Sequence, residues 1–233
     1  MSQFWILLLA LVSLQSVAKL NIVTEHFPPA QYLDENNQIV GVIADKVNAV
    51  LANSTLDYTM AVESWSTAFN MALRDPHTCI YSMTRSKARE SEFIWIAKLA
   101  ALNTYLYALH SKKITITSLE QAKQYRIAVL KDNYSHQYLL SQGFEEGKNL
   151  MLMNSFDNIF AIVQSRKSTI DLVVLPEQRA QYEHARIKTG DKLPEELTPV
   201  LRLNTEQPEL YFACNKGLDK LTETSLNSAF ENY

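Results

Sequence analysis

The sequence predicts an α/β protein of mostly parallel sheets with flanking helices, arranged as two lobes. Three observations predict it. Strand-like runs alternate with amphipathic runs along the chain, and the alternation restarts as a second unit near Ser118. About 215 residues follow an N-terminal apolar segment, enough for two lobes of roughly a hundred each. Of the 233 residues, 47% are hydrophobic, ample for packed cores.

The elements follow in order. Phe4 to Leu14 (FWILLLALVSL) is an apolar run too short to cross a bilayer as a helix. Ser16 and Ala18 then place small residues at the −3 and −1 positions of a secretory cleavage site. Residues 1–18 therefore read as a signal peptide cleaved after Ala18, although no Lys or Arg precedes the run. A buried element of the mature fold is the alternative. Leu20 to Thr24 reads as a strand ended by Phe27-Pro28-Pro29, because proline cannot donate to a ladder. Asp34 to Asn37 is a turn. From Gly41, the positions Ile43, Val47, Val50 and Leu51 fall at helical spacing.

Asp57 to Val62 is a strand, and a helix over Ser66 to Arg74 follows Trp65. Cys79 to Met83 is a short strand, and Trp95 to Leu102 with Tyr105 to Leu109 form an extended aromatic run. The second unit opens with a short helix (SLEQAKQ), a strand over Arg126 to Leu130, a turn at Lys131-Asp132-Asn133 and a helix through Tyr138 to Leu140. Leu150 to Met153 is a strand. Phe156, Ile159, Phe160 and Val163 form an amphipathic helical stripe. Thr169 to Leu175 is a near-continuous apolar run, as a central parallel strand requires. It stops at Pro176, after which Glu177 to His184 can form a helix. Leu210 to Cys214 is a late strand, and Leu218 opens a terminal helix.

Composition excludes several function classes. There are 22 Lys+Arg against 25 Asp+Glu, a net charge of −3 and no basic run, so nucleic acid is not the expected partner. The five glycines, at 41, 143, 147, 190 and 217, compose no dinucleotide, P-loop or nucleophile-elbow fingerprint. The histidines at 26, 77, 110, 136 and 184 are scattered, with no metal-ligand spacing. Ser135 and His136 are sequence neighbours, which does not make a nucleophile and its base. No metal and no cofactor are expected. Cys79 and Cys214 sit in strand-like runs of a secreted chain. A disulfide between them and two buried thiols are both open.

Several segments match a family in order and spacing. They are TEHFPPAQY (Thr24 to Tyr32), GVIAD (Gly41 to Asp45), Trp65, SMTRSKAR (Ser82 to Arg89) and FIW (Phe93 to Trp95). Together they resemble the periplasmic solute-binding proteins of amino-acid ABC transporters, bacterial extracellular solute-binding proteins of family 3. RIAVLKDNYSHQYL (Arg126 to Leu139) fits the family's second-lobe opening, and IDLVVLPE (Ile170 to Glu177) fits its gr-DA strand. The resemblance covers essentially all of Lys19 to Tyr233. It implies the two-lobed periplasmic-binding-protein fold, with two hinge strands and closure on a ligand. The first lobe would be discontinuous, 19–103 plus 206–233, with 104–205 inserted as the second. Family members usually continue past this terminal helix, whereas the sequence stops at Tyr233.

The resemblance also implies a site. Arg89 matches the guanidinium that clamps a ligand carboxylate, a bidentate task for which Lys is unsuited; Arg85 is the substitute. Ser82 and Thr84 match positions that hydrogen-bond the ligand, and Phe27 and Trp65 match flanking aromatics. Asn133 and Tyr134 lie between a strand and a helix, where free N–H groups favour an anion. The family's Gly-[ST]-Thr is here Asp132-Asn133-Tyr134, and Asp132 opposes that preference. At Pro176, five residues after Asp171, family members that bind α-amino acids carry an Asp that holds the ammonium. Glu177 is the nearest carboxylate, at opposite parity if the pleat continues, and Glu25 is another. This departure favours a ligand without an α-ammonium at that point.

The function implied is non-enzymatic. A secreted, periplasmic, monomeric binding protein would capture an amino acid or related carboxylate between its lobes and deliver it to an ABC permease. Two alternatives share the scaffold. One is a periplasmic lyase resembling the cyclohexadienyl dehydratases, with Glu25 or Glu177 as acid/base. The other is a sensory ligand-binding module without transport.

Overall fold

A computed structural model describes residues 19–187, 195–204 and 209–233. The signal peptide expected over 1–18 and the lobe crossing expected at Thr205 and Glu206 lie outside the described residues.

The first lobe begins with β1 (Leu20–Glu25), a small hairpin of β2 (Tyr32–Leu33) and β3 (Ile39–Val40), and α1 (Val42–Ala52). β4 (Tyr58–Glu63), α2 (Trp65–Arg74), β5 (Thr78–Thr84) and β6 (Phe93–Ala101) follow. The chain then passes into β7 (Thr104–Leu109), α3 (Leu119–Ala122), β8 (Ile127–Leu130), α4 (Tyr134–Ser141) and β9 (Leu150–Met153). α5 (Ile159–Ser165), β10 (Leu172–Pro176), α6 (Glu177–Ile187) and β11 (Leu197–Arg202) complete this second unit. β12 (Glu209–Asn215) and α7 (Lys220–Glu231) end the chain.

One five-stranded sheet has the order β4-β1-β5-β12-β6, the other β11-β7-β10-β8-β9. The expectation of mostly parallel sheets holds for the runs β4-β1-β5 and β10-β8-β9. The other half of each sheet is antiparallel, because β6 leads directly into β7 and β12 runs back between β5 and β6. Each sheet is thus mixed.

Local sequence explains the elements. Ser64 Oγ accepts from Thr67 N, Asn133 Oδ1 from His136 N, and Asp219 Oδ1 from Thr222 N, capping α2, α4 and α7. Gly41, before α1, has φ +121°, and a Cβ there would meet Pro29 O at 2.6 Å. Only glycine fits that approach. Ile43, Val47, Val50 and Leu51 form the buried stripe of α1, as their spacing predicts. β10 is buried through Leu172, Val173, Val174 and Leu175 because helices cover both faces of a central strand.

The first lobe packs around Ile22, Val47, Leu51, Tyr81 and Phe212. The second has a core on each face of its sheet, around Leu106, Ile127 and Leu139 and around Ile159, Phe160 and Val173. Cys79 and Cys214 face each other across β5 and β12 and are disulfide-bonded, which decides between the two states the sequence left open. Among the described residues there is no helix long and apolar enough to cross a membrane.

Candidate functional site

A cleft of about 410 Å³ lies at the carboxyl ends of β1, β4 and β5 in the first lobe and of β8, β9 and β10 in the second. Strand ends of this kind collect loops and helix N-termini, and ligands of open α/β sheets bind there. Seven of the eight residues expected from the sequence line it: Phe27, Trp65, Ser82, Thr84, Arg89, Asn133 and Tyr134.

Arg89 is 6% exposed. Its guanidinium is 5.1 Å from the Trp65 ring centroid and 5.0 Å from that of Phe69, so aromatic faces hold it in place. Nη1 donates to Thr84 O at 3.0 Å and Nη2 to Asp132 O at 3.3 Å. Burial pushes its pKa down to about 10, against the pull of Glu25, so it stays cationic at neutral pH. Arg85 instead pairs with Glu90 and sits 5.3 Å over Trp95; it does not line the cleft.

Other expected residues are already engaged. The Ser82 hydroxyl donates to Gln31 Oε1 at 2.8 Å, and Ser82 holds φ +61°. The Asn133 side chain caps α4, and the Tyr134 ring stacks on Tyr138 with centroids 6.5 Å apart. Trp65, 5% exposed, donates Nε1 to Asp132 O at 2.8 Å. Asp132 itself has φ +60°, and its carboxylate accepts from Ser66 Oγ at 3.0 Å. The charge that looked misplaced at a ligand anion site therefore belongs to a contact between the lobes.

Glu177 needs correction. It does not line the cleft: its backbone N donates to Asn103 O at 2.9 Å, and its carboxylate faces Asn103 Nδ2 at 3.5 Å. As the first residue of α6 it is held beside the β6–β7 connection, while Pro176 before it lines the cleft. Of the carboxylates that do line the cleft, Glu25 at the end of β1 is the one that feels Arg89. Burial raises its pKa to about 7 although Arg179 and Arg89 pull it down. A carboxyl poised there can receive a cation or exchange a proton near neutrality.

Arg179 and Asp157 were not singled out by the sequence. Arg179 is 2% exposed and pairs with buried Glu183 at 2.9 Å, one turn along α6. The available signal was the i,i+4 Arg–Glu pair directly after a buried strand. Asp157 Oδ1 is 3.5 Å from His26 Nε2 across the cleft, and burial is the main reason the His26 pKa falls. Among the described residues no group of His, Cys, Asp and Glu could hold a metal ion.

A family model for bacterial extracellular solute-binding proteins, family 3, matches residues 20–233. The chain belongs to that family. Solved structures similar to this family 3 protein include a histidine kinase sensor domain with similarity to periplasmic binding proteins, at TM-score 0.78 and 17% identity, covering 92% of this chain and 89% of that one. An ancestral arginine-binding protein bound to arginine matches at 0.75 and 19%, covering 92% and 91%. The arginine-, lysine-, histidine-binding protein ArtJ from Geobacillus stearothermophilus matches at 0.74 and 16%, covering 92% and 89%. At these identities the likeness shows the fold, the two-lobed periplasmic-binding-protein fold. No curated protein sequence matches this family 3 chain.

Proposed function

We propose that this family 3 protein is a secreted, periplasmic solute-binding protein that captures an amino acid or related small carboxylate between its lobes, for uptake through an ABC permease. The observation that carries the reading is that Arg89 and Glu25 line one inter-lobe cleft within reach of each other's charge. Arg89 has N–H groups beyond the two engaged with carbonyls, and a buried guanidinium binds a carboxylate strongly. Glu25 supplies the acceptor that Pro176 lacks. Its position outweighs the argument from Pro176 alone, so the ligand carries an ammonium or other donor that Glu25 receives.

A thermal-shift screen against amino acids, polyamines and organic acids tests this. A ligand bound only by the folded state raises the unfolding midpoint by mass action. A flat response across amino acids and organic acids contradicts the reading.

The sensor-domain likeness supports a second reading, a ligand-binding module that signals without transport. Both readings use the same cleft. Stimulation of a co-encoded permease ATPase by the liganded protein distinguishes uptake from signalling.

A further inference from the structure

The guanidinium of Arg179 is anchored through Nη2, while its Nε–H has no acceptor among the described residues. Nη2 donates to Phe156 O at 3.0 Å and pairs with Glu183 Oε1 at 2.9 Å. Glu183 Oε2 accepts from Arg186 at 3.0 Å, so one carboxylate serves two guanidinium groups. Asp157, a further carboxylate of that wall, faces His26. The Nε–H of Arg179 is buried and meets no acceptor among the described residues, and the residue lines the cleft. A buried donor without an acceptor is unfavourable, and a ligand oxygen placed there would relieve it.

We propose that Arg179 is a specificity-determining residue: its Nε–H reads a carbonyl oxygen at the end of the ligand distal to Arg89, so the cleft prefers an amino acid with a side-chain carboxylate or carboxamide. The inference rests on the capture reading above. Glu25 feels both guanidinium groups, Arg89 from its own lobe and Arg179 from the other. The complementary ligand therefore presents an anion to Arg89, a donor to Glu25 and an acceptor to Arg179. A lysine or arginine side chain would instead bring like charge to the Arg179 guanidinium.

The test is calorimetric titration of the wild-type protein and Arg179→Lys with L-glutamate, L-glutamine, L-arginine and L-lysine. Lysine at 179 keeps the partner charge for Glu183 and removes the Nε–H. The expected result is that glutamate or glutamine binds the wild type more tightly than arginine or lysine. Arg179→Lys should weaken that binding about tenfold or more, the worth of one charge-assisted hydrogen bond, with no loss for the basic pair. Tighter binding of arginine or lysine, or unchanged glutamate and glutamine affinity in Arg179→Lys, overturns the inference.

Should Arg179→Lys not fold by circular dichroism, the arginine Nε–H resonance of Arg179 in the wild type gives the answer. It shifts on adding the tighter-binding ligand if the inference holds, and staying in place overturns it. Binding of some other small solute but none of these four overturns the inference and leaves capture standing. Binding of nothing overturns capture, and this inference with it.

Discussion

Glu25 titrates where small pH changes matter. Its pKa is raised from 4.5 to about 7 by burial, so the folded protein holds a proton that the unfolded chain releases between those values. That proton's contribution to stability is complete below 4.5 and is lost as pH rises to about 7, because the folded state binds more protons in that window. Ligand binding runs the other way. Affinity for an ammonium-bearing ligand should rise as pH passes upward through about 7, and Glu25→Gln should flatten that dependence in calorimetric titrations. Arg89→Ala should weaken binding by about 2–5 kcal/mol, with Arg89→Lys recovering part of it, since the ammonium keeps the charge and loses the fork. Arg85→Ala should leave affinity unchanged, because Arg85 lies outside the cleft.

At this scale the sequence was legible for residue types at strand ends. Burial and competing partners were not visible in it. Ser82, Asn133 and Trp65 each reach the cleft with a polar atom already engaged. Glu177 and Glu25 exchange places because helix α6 starts at Glu177 and turns its carboxylate to Asn103.

The turn between β8 and α4 carries three of the hydrogen bonds between the lobes. Asp132 accepts from Trp65, Ser66 and Arg89, all of the first lobe, and Tyr32 meets Tyr182 with ring centroids 5.9 Å apart. Trp65→Phe removes one donor from a part-buried carbonyl, a loss of about 1 kcal/mol of closure free energy. Small-angle scattering of the unliganded variant should give a larger radius of gyration than the wild type; equal values would count against this turn as a latch. Helices α1 and α2 and strands β1, β5 and β10 were readable from periodicity and β-branched content. β11 was not, because Pro199 interrupts a short edge strand that carries a bulge. Phe156 belongs ahead of α5, where Asn158 at φ +55° turns the chain into the helix.

The disulfide belongs to the same scale. No local pattern says that two strands 135 residues apart are neighbours. Replacing both cysteines with alanine should lower unfolding stability by about 2–5 kcal/mol in urea titrations. Ligand affinity should be retained, since both cysteines are fully buried in the first lobe.

For the whole molecule, the alternation of strands and helices and the ordered family segments carry the α/β class, while the return of β12 between β5 and β6 is a property of the assembled sheet alone. The site is a product of that assembly. Glu25, Arg89 and Arg179 stand far apart in the chain and meet only when the strand ends of both sheets face one cleft. Capture of a small carboxylate there is the central claim, and titration calorimetry of the wild-type protein with single amino acids and organic acids tests it most directly. The account predicts saturable one-to-one binding of at least one amino acid, lost in Arg89→Ala. Binding that is unaffected by Arg89→Ala, or no heat from any compound, would contradict it.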